Sequence, residues 1–240
     1  MPPMPLSGPI RRLLFPLALL AAAAAGAAPP ADTLAQRVQA CTACHGKEGR
    51  AAPDGYHPRI AGKPALYLYH QLVNFREGRR RYGPMVYLVD HLSDDYLREI
   101  ADHFAALDLP YPAPAPASES PAVMALGERL ALRGDAARKL PACSACHGRA
   151  LTGVAPAIPG LLGLPRDYLK GQLGAWVNGQ RQAHAPDCMA DIARQLSPDE
   201  VSAVAAWLAS QPLPAPARAA TALPEPLPAD CGSVPRPAPR

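Results

Sequence analysis

Cys41-Thr42-Ala43-Cys44-His45 and Cys143-Ser144-Ala145-Cys146-His147 decide the reading of this chain. Cys-x-x-Cys-His is the attachment signature of c-type haem. Its two thiols add across the porphyrin vinyl groups as thioethers, and the histidine that follows directly reaches the iron from the proximal side. A lone Cys-x-x-Cys would fit a redox dithiol or half a zinc site. Two complete copies, each heading its own domain-sized segment, leave a shared Cys/His zinc module as the minor alternative. The sequence therefore predicts two covalently bound haem c groups, with His45 and His147 as proximal iron ligands.

Outward from the motifs, the chain repeats itself at an offset of about 101–104 residues. Pro58 corresponds to Pro159, Gly62 to Gly163, Pro64 to Pro165, Tyr67 to Tyr168 and Gln71 to Gln172. Phe75 then corresponds to Trp176, Arg80 to Arg181, Met85 to Met189 and Leu92-Ser93 to Leu196-Ser197. The predicted organisation is one domain over residues 32–112, a Pro-rich linker over 113–121, a second domain over 122–211 and a Pro-rich tail over 212–240. The alternating prolines of the linker fix φ and remove donors, which makes it stiff. The tail has little apolar material to bury and reads as extended rather than as a third domain.

Each copy predicts three helices. The first carries the Cys-x-x-Cys-His at its end: Thr33 to Ala43 in one copy, an interrupted segment from Val123 in the other. The second starts at Pro64 or Pro165, residues suited to a first helical turn. The third opens at Ser93-Asp94-Asp95, with Leu97, Ile100 and Phe104 at helical spacing, or at the capping box Ser197-Pro198-Asp199-Glu200. No strand pattern competes, so the fold class is all-α. A helical bundle of this size has only a modest core, and a haem pinned to the chain replaces what is missing.

The sixth iron position separates electron transfer from chemistry at the iron. Met85 and Met189 each stand eight residues before a helix-opening serine, in what reads as a loop; Met85 follows the turn-like Gly83-Pro84. Each is a candidate axial ligand. His57, His70, His91, His103 and His184 have no partner histidine in the other copy, with His91 and His184 the nearest substitutes. Pro58 and Pro159 lie 13 and 12 residues past their histidines and can offer carbonyls to the remaining imidazole N–H.

Residues 1–27 read as a secretory signal: Arg11 and Arg12, an apolar run from Leu13 to Ala25, and Ala25-Gly26-Ala27 as cleavage site. The run is shorter than the roughly 20 residues of a membrane span, although an uncleaved anchor stays open. Export fits covalent haem attachment and places the protein in the periplasm, soluble or peripherally bound to a membrane. The net charge of +4 falls to about +2 without the two signal arginines. No concentrated basic face suits nucleic acid. Arg79-Arg80-Arg81 reads as a solvated loop, or else as a contact for haem propionates or an acidic partner. Cys188 and Cys231 remain outside the motifs, and in an exported chain they can form a disulfide.

The arrangement resembles the dihaem cytochrome c4 family of tandem class I cytochrome c domains. The likeness rests on Cys-Thr-Ala-Cys-His-Gly, His57-Pro58-Arg59-Ile60-Ala61-Gly62, Tyr67 to Arg80, Gly83-Pro84-Met85 and Leu92-Ser93-Asp94. In copy two it rests on Leu140-Pro141-Ala142 with the motif, Met189-Ala190-Asp191-Ile192-Ala193 and Leu196-Ser197. The resemblance implies a periplasmic electron carrier, not an enzyme, with His/Met ligation at both irons and the domains face to face. It also implies that Pro58 and Pro159 hold the proximal histidines. Expected partners are a membrane oxidase, a cytochrome bc1-type complex or a dehydrogenase. Cys188, Cys231 and the tail depart from the family pattern. They keep open a dedicated role as the cytochrome subunit of a flavocytochrome sulfide dehydrogenase or another dehydrogenase. A dihaem peroxidase would need a labile sixth ligand.

Overall fold

The serines that open the last helix of each half set its register. In α5 (Asp94–Ala106) the Ser93 hydroxyl accepts the Tyr96 N–H. In α10 (Pro198–Ser210) the capping box is complete: Ser197 Oγ accepts the Glu200 N–H, and the Glu200 carboxylate accepts the Ser197 N–H at 2.9 Å. The computed structural model describes residues 32–117 and 119–235. The predicted signal segment and the last five residues of the tail lie outside the described residues.

In the first half α1 (Leu34–Arg37) and α2 (Gln39–His45) replace the single helix expected there, with a break at Val38. Next come α3 (Ala65–Arg76), α4 (Gly83–Val89) and α5. Leu97, Ile100 and Phe104 of α5 close onto Leu68, Val73 and Phe75 of α3. In the second half α6 (Pro121–Arg133) and α7 (Cys143–His147) precede α8 (Arg166–Val177), α9 (Cys188–Gln195) and α10. Leu130 and Ala131 of α6 meet Val204, Trp207 and Leu208 of α10. Gly127 allows that crossing, because a Cβ there would lie 2.2 Å from the Ala203 carbonyl oxygen. The result is a helical bundle in each half, as the repeat predicts.

Three local differences from the sequence reading have simple causes. Pro64 and Pro165 cap α3 and α8 from one residue outside the helix. α4 and α9 are short helices where loops were expected; Gly83 and Pro84 read as a turn but equally suit a helical first turn. β1 (Gly153–Val154) and β2 (Ile158–Pro159) form an antiparallel hairpin, too short to show any alternation in sequence.

The described residues of the tail contain no helix, yet they are fastened along their course. Leu213 joins the second core, and Arg218 pairs with Asp108. Ala220 extends the hairpin: the Ala155 N–H donates to its carbonyl at 2.8 Å, and its own N–H donates to Gly153 at 2.9 Å. Cys231 is disulfide-bonded to Cys188 with Cα atoms 5.2 Å apart, and the Gly232 N–H donates to Pro186. The end of the first domain, leading into the linker, is pinned as well, by the Arg59 guanidinium 3.9 Å over the Tyr111 ring and donating to the Leu109 and Pro110 carbonyls. No helix among the described residues is long and apolar enough to cross a membrane.

Candidate haem-binding site

Each Cys-x-x-Cys-His sits on the last turns of a short helix that a glycine terminates. Gly46 has φ +74°, and a Cβ there would fall 2.3 Å from the Ala51 carbonyl oxygen. The helix therefore stops at His45, and Gly148 at φ +84° does the same for His147. Both imidazoles are buried, and each Nδ1–H donates to a proline carbonyl at 2.8 Å, Pro58 for His45 and Pro159 for His147. Burial pushes both imidazoles below their ordinary pKa, outweighing the carbonyl contact. Each ring is thus neutral at pH 7, with its proton on Nδ1 and the Nε2 lone pair free to bind a metal.

The thiols argue against a redox dithiol. Burial pushes the Cys41 and Cys143 thiols up to about 11. A dithiol catalyst works through a thiolate of lowered pKa. Cys44 is exposed and Cys146 half-buried, and none of the four is disulfide-bonded.

A cavity of about 520 Å³ runs through both halves and is lined by both motifs. Met85, on the first turns of α4, and Met189, at the second residue of α9, line it too. Of the competing histidines only His57 does so, and it stands edge-on to His45 with ring centroids 6.0 Å apart, held by Asp54 at 2.6 Å. The His91 side chain is 90 % exposed, and His184 lies against His70. The structure thus places His45, Met85, His147 and Met189 around one apolar space.

Between the two motifs lies a polar cross that the sequence reading missed. Arg80 donates to Gln71 at 3.1 Å, Gln172 at 2.6 Å and Tyr168 at 3.2 Å. Arg181 donates to Gln172 at 2.9 Å, Gln71 at 3.1 Å and Tyr67 at 3.5 Å. Backbone bonds flank the pair: the Arg81 N–H donates to Gln180 and the Gln182 N–H to Arg79. Only Arg81 of the Arg79–Arg81 run is exposed, so the solvated-loop reading of that run is corrected. The signal was available: Tyr67 and Gln71 are four residues apart on one helix face, and Tyr168 and Gln172 repeat them.

This cross tests whether haem fits. Arg181 is only 6 % exposed, yet among the described residues both guanidinium groups meet neutral oxygens and no carboxylate. Burial and the neighbouring Arg80 both pull Arg181 down. Burial alone would raise the Tyr168 phenol, but the Arg80 and Arg181 charges outweigh it and bring it down. The indole Nε1 of Trp176, which lines the cavity, is a buried donor with no partner among the described residues. Paired cations and a spare donor at the wall of an apolar cavity call for an acidic ligand with a large apolar body. Haem, with its two propionates, has that chemistry.

The comparisons agree with the geometry. The cytochrome c family profile matches residues 131–212. A thiosulfate dehydrogenase electron acceptor of Thiomonas intermedia is 37 % identical over 89 % of this chain and 97 % of its own length. Cytochrome c4 of Pseudomonas aeruginosa is 31 % identical over 70 % of this chain and 82 % of its own. The solved structure of thiosulfate dehydrogenase (TsdBA) from Marichromatium purpuratum superposes with a TM-score of 0.65 at 34 % identity. That likeness covers 72 % of this chain, which spans 36 % of that longer one.

Proposed function

Because the chain belongs to the dihaem cytochrome c4 family, an electron carrier with two covalently bound haem c groups, we propose that it accepts single electrons from a thiosulfate dehydrogenase in the periplasm. The observation that carries this is the 37 % identity across 97 % of the Thiomonas intermedia protein of that name. The likeness to part of the longer TsdBA chain supports a donor that works in direct contact with it.

In this reading Cys41 and Cys44 hold one haem and Cys143 and Cys146 the other, in domains spanning residues 32–112 and 122–211. Each bound haem supplies an iron that cycles between ferric and ferrous by one electron. His45 and His147 offer Nε2 to the irons, and the Pro58 and Pro159 carbonyls fix the rings and raise their basicity. Met85 and Met189 would offer their thioether sulfurs to the irons, which would shut out peroxide and raise the potentials relative to other cytochrome ligations. Arg80 and Arg181 receive the propionates where the halves meet. Residues 1–27 act as the export signal.

The test is coupled reduction. Thiosulfate with a thiosulfate dehydrogenase is expected to reduce the purified holoprotein by two electrons per chain, and thiosulfate alone is expected to leave it oxidised. A holoprotein that dithionite reduces fully but the enzyme does not would end the reading.

A further inference from the structure

Lys63 is a buried charge that the repeat does not copy. Gly62 and Pro64 match Gly163 and Pro165, so the equivalent position in the second half is Leu164, an apolar residue packed on its own core. Lys63 is 5 % exposed and lines the shared cavity. Its Nζ crosses from the first half to the second and donates to the Gly160 carbonyl at 3.1 Å. Gly160 directly follows Pro159, whose carbonyl holds the Nδ1–H of His147. The cation is therefore anchored behind the proximal histidine of the second site.

Burying an ammonium without a carboxylate is costly, and among the described residues Lys63 makes no ion pair. Its named neighbours are the like-charged Arg59 and the Tyr111 ring, 6.0 Å away. Burial, with Arg59, pulls the ammonium down to about 8, so at pH 7 it keeps its charge. The charge of Lys63 is also among those that depress His147. An apolar residue such as Leu164 fills the matching place in the second half without that cost. The cost needs a compensating role, and position indicates which one.

We propose that Lys63, supplied by the first half, raises the reduction potential of the second haem and so directs electrons from the N-terminal to the C-terminal site. A fixed positive charge disfavours the ferric state, which carries one more positive charge than the ferrous. The step is a one-electron exchange: the first iron is oxidised, the second is reduced, and no proton or bond is involved. Lys63 acts through the field at the His147 site and is a positioning residue for the electron, not a ligand. The inference rests on reading the two motifs as haem sites.

The experiment is a haem-resolved redox titration of the holoprotein at pH 7, with Lys63→Gln, Lys63→Met and Lys63→Arg. Met189→His, read separately, identifies which step belongs to the second haem. Haem content is measured first, and wild-type protein without two haems would overturn both the site reading and this inference. With two haems in place, Lys63→Gln keeps a donor for Gly160 but loses the charge. It is expected to lower the reduced-to-oxidised ratio of the second haem at fixed ambient potential by about tenfold, or about 59 mV for a one-electron couple. Lys63→Met should do the same, Lys63→Arg should stay near wild type, and the first haem should be unmoved in all three. An unchanged second haem in Lys63→Gln, or an equal shift of both haems, overturns the proposal and leaves the haem sites standing.

Discussion

The two halves carry the same liganding frame and wear different covers. His45 and His147 have the same helix end, the same glycine stop and the same 2.8 Å bond to a proline carbonyl. Around that frame the halves diverge. In the first, Cys44 is exposed and Tyr56, Tyr87 and Leu88 stand out into solvent at 57, 79 and 38 %. In the second, Cys146 is half-buried and the tail runs from the hairpin beside the motif to the disulfide at Cys188, next to Met189. The long α6 of the second half interlocks with α10 at Gly127. The first half has only the broken α1 and α2, tied to α5 by Arg37 stacking 4.0 Å over Tyr96 and pairing with Glu99. The ligand frame is local and was copied with the repeat; exposure and cover come from the segments that were not.

The largest test of that contrast removes a haem from one half at a time. Cys143→Ser with Cys146→Ser is expected to abolish attachment there and unfold the C-terminal bundle, with a loss of roughly half the helical circular dichroism. Cys41→Ser with Cys44→Ser should likewise melt the first half, since both cores close around the cavity. A half that kept its helices without haem would show that its core stands by itself.

Next in size is the α6–α10 crossing. Gly127→Leu places side-chain atoms where the Ala203 carbonyl and the Trp207 Cβ already lie. The expected loss is about 3 kcal/mol or more, read by denaturant unfolding of the second haem's absorbance. The first haem's transition should stay in place, and a common shift would mean that the halves unfold as one.

The disulfide is a smaller lever confined to the second half. It closes a 43-residue separation, for which the chain-entropy model gives about 4 kcal/mol, with about 2–3 expected in practice. Cys231→Ser should free the tail, loosen Met189 and lower the second haem's potential while leaving the first unchanged. The near-infrared band of iron–methionine sulfur bonding reports the loosening. Full retention of that band at the second haem would assign the bridge to stability alone.

The smallest difference compares caps. Ser197→Ala removes one arm of a reciprocal box that Arg138 braces through Glu200 at 2.6 Å, whereas Ser93 has Tyr96 in place of the acidic partner. Ser197→Ala is expected to cost about 1 kcal/mol and Ser93→Ala somewhat less. Thermal melts followed at each haem separate the two, and equal costs would show that the box adds nothing to the serine alone.

Much of this was legible in the chain. The duplicated motif predicted two haems, the repeat predicted two equivalent bundles, and spacing from the helix-opening serines singled out Met85 and Met189. Such readings depend on neighbours in sequence: a helix end, a cap and a residue a fixed number of positions away. The short helices α4 and α9 were not legible, since Gly83-Pro84 fits a turn and a helix start equally well, and packing on α3 or α8 decides between them. Arg79-Arg80-Arg81 looked like a solvated run because burial is a property of what arrives from elsewhere in the chain. Its partners Tyr168, Gln172 and Gln180 lie about a hundred residues away.

By itself, then, the sequence determined what the chain binds and how each half folds around it. Thioether chemistry and helical periodicity are written over stretches of a few residues. Only the tertiary structure decided which charges are buried and which half the tail packs against. Arg181 and Lys63 are exposed or buried, and effective or screened, according to the surface that docks on them. For Lys63 that surface is the Gly160 carbonyl of the other half, a contact across nearly a hundred residues that no local pattern encodes.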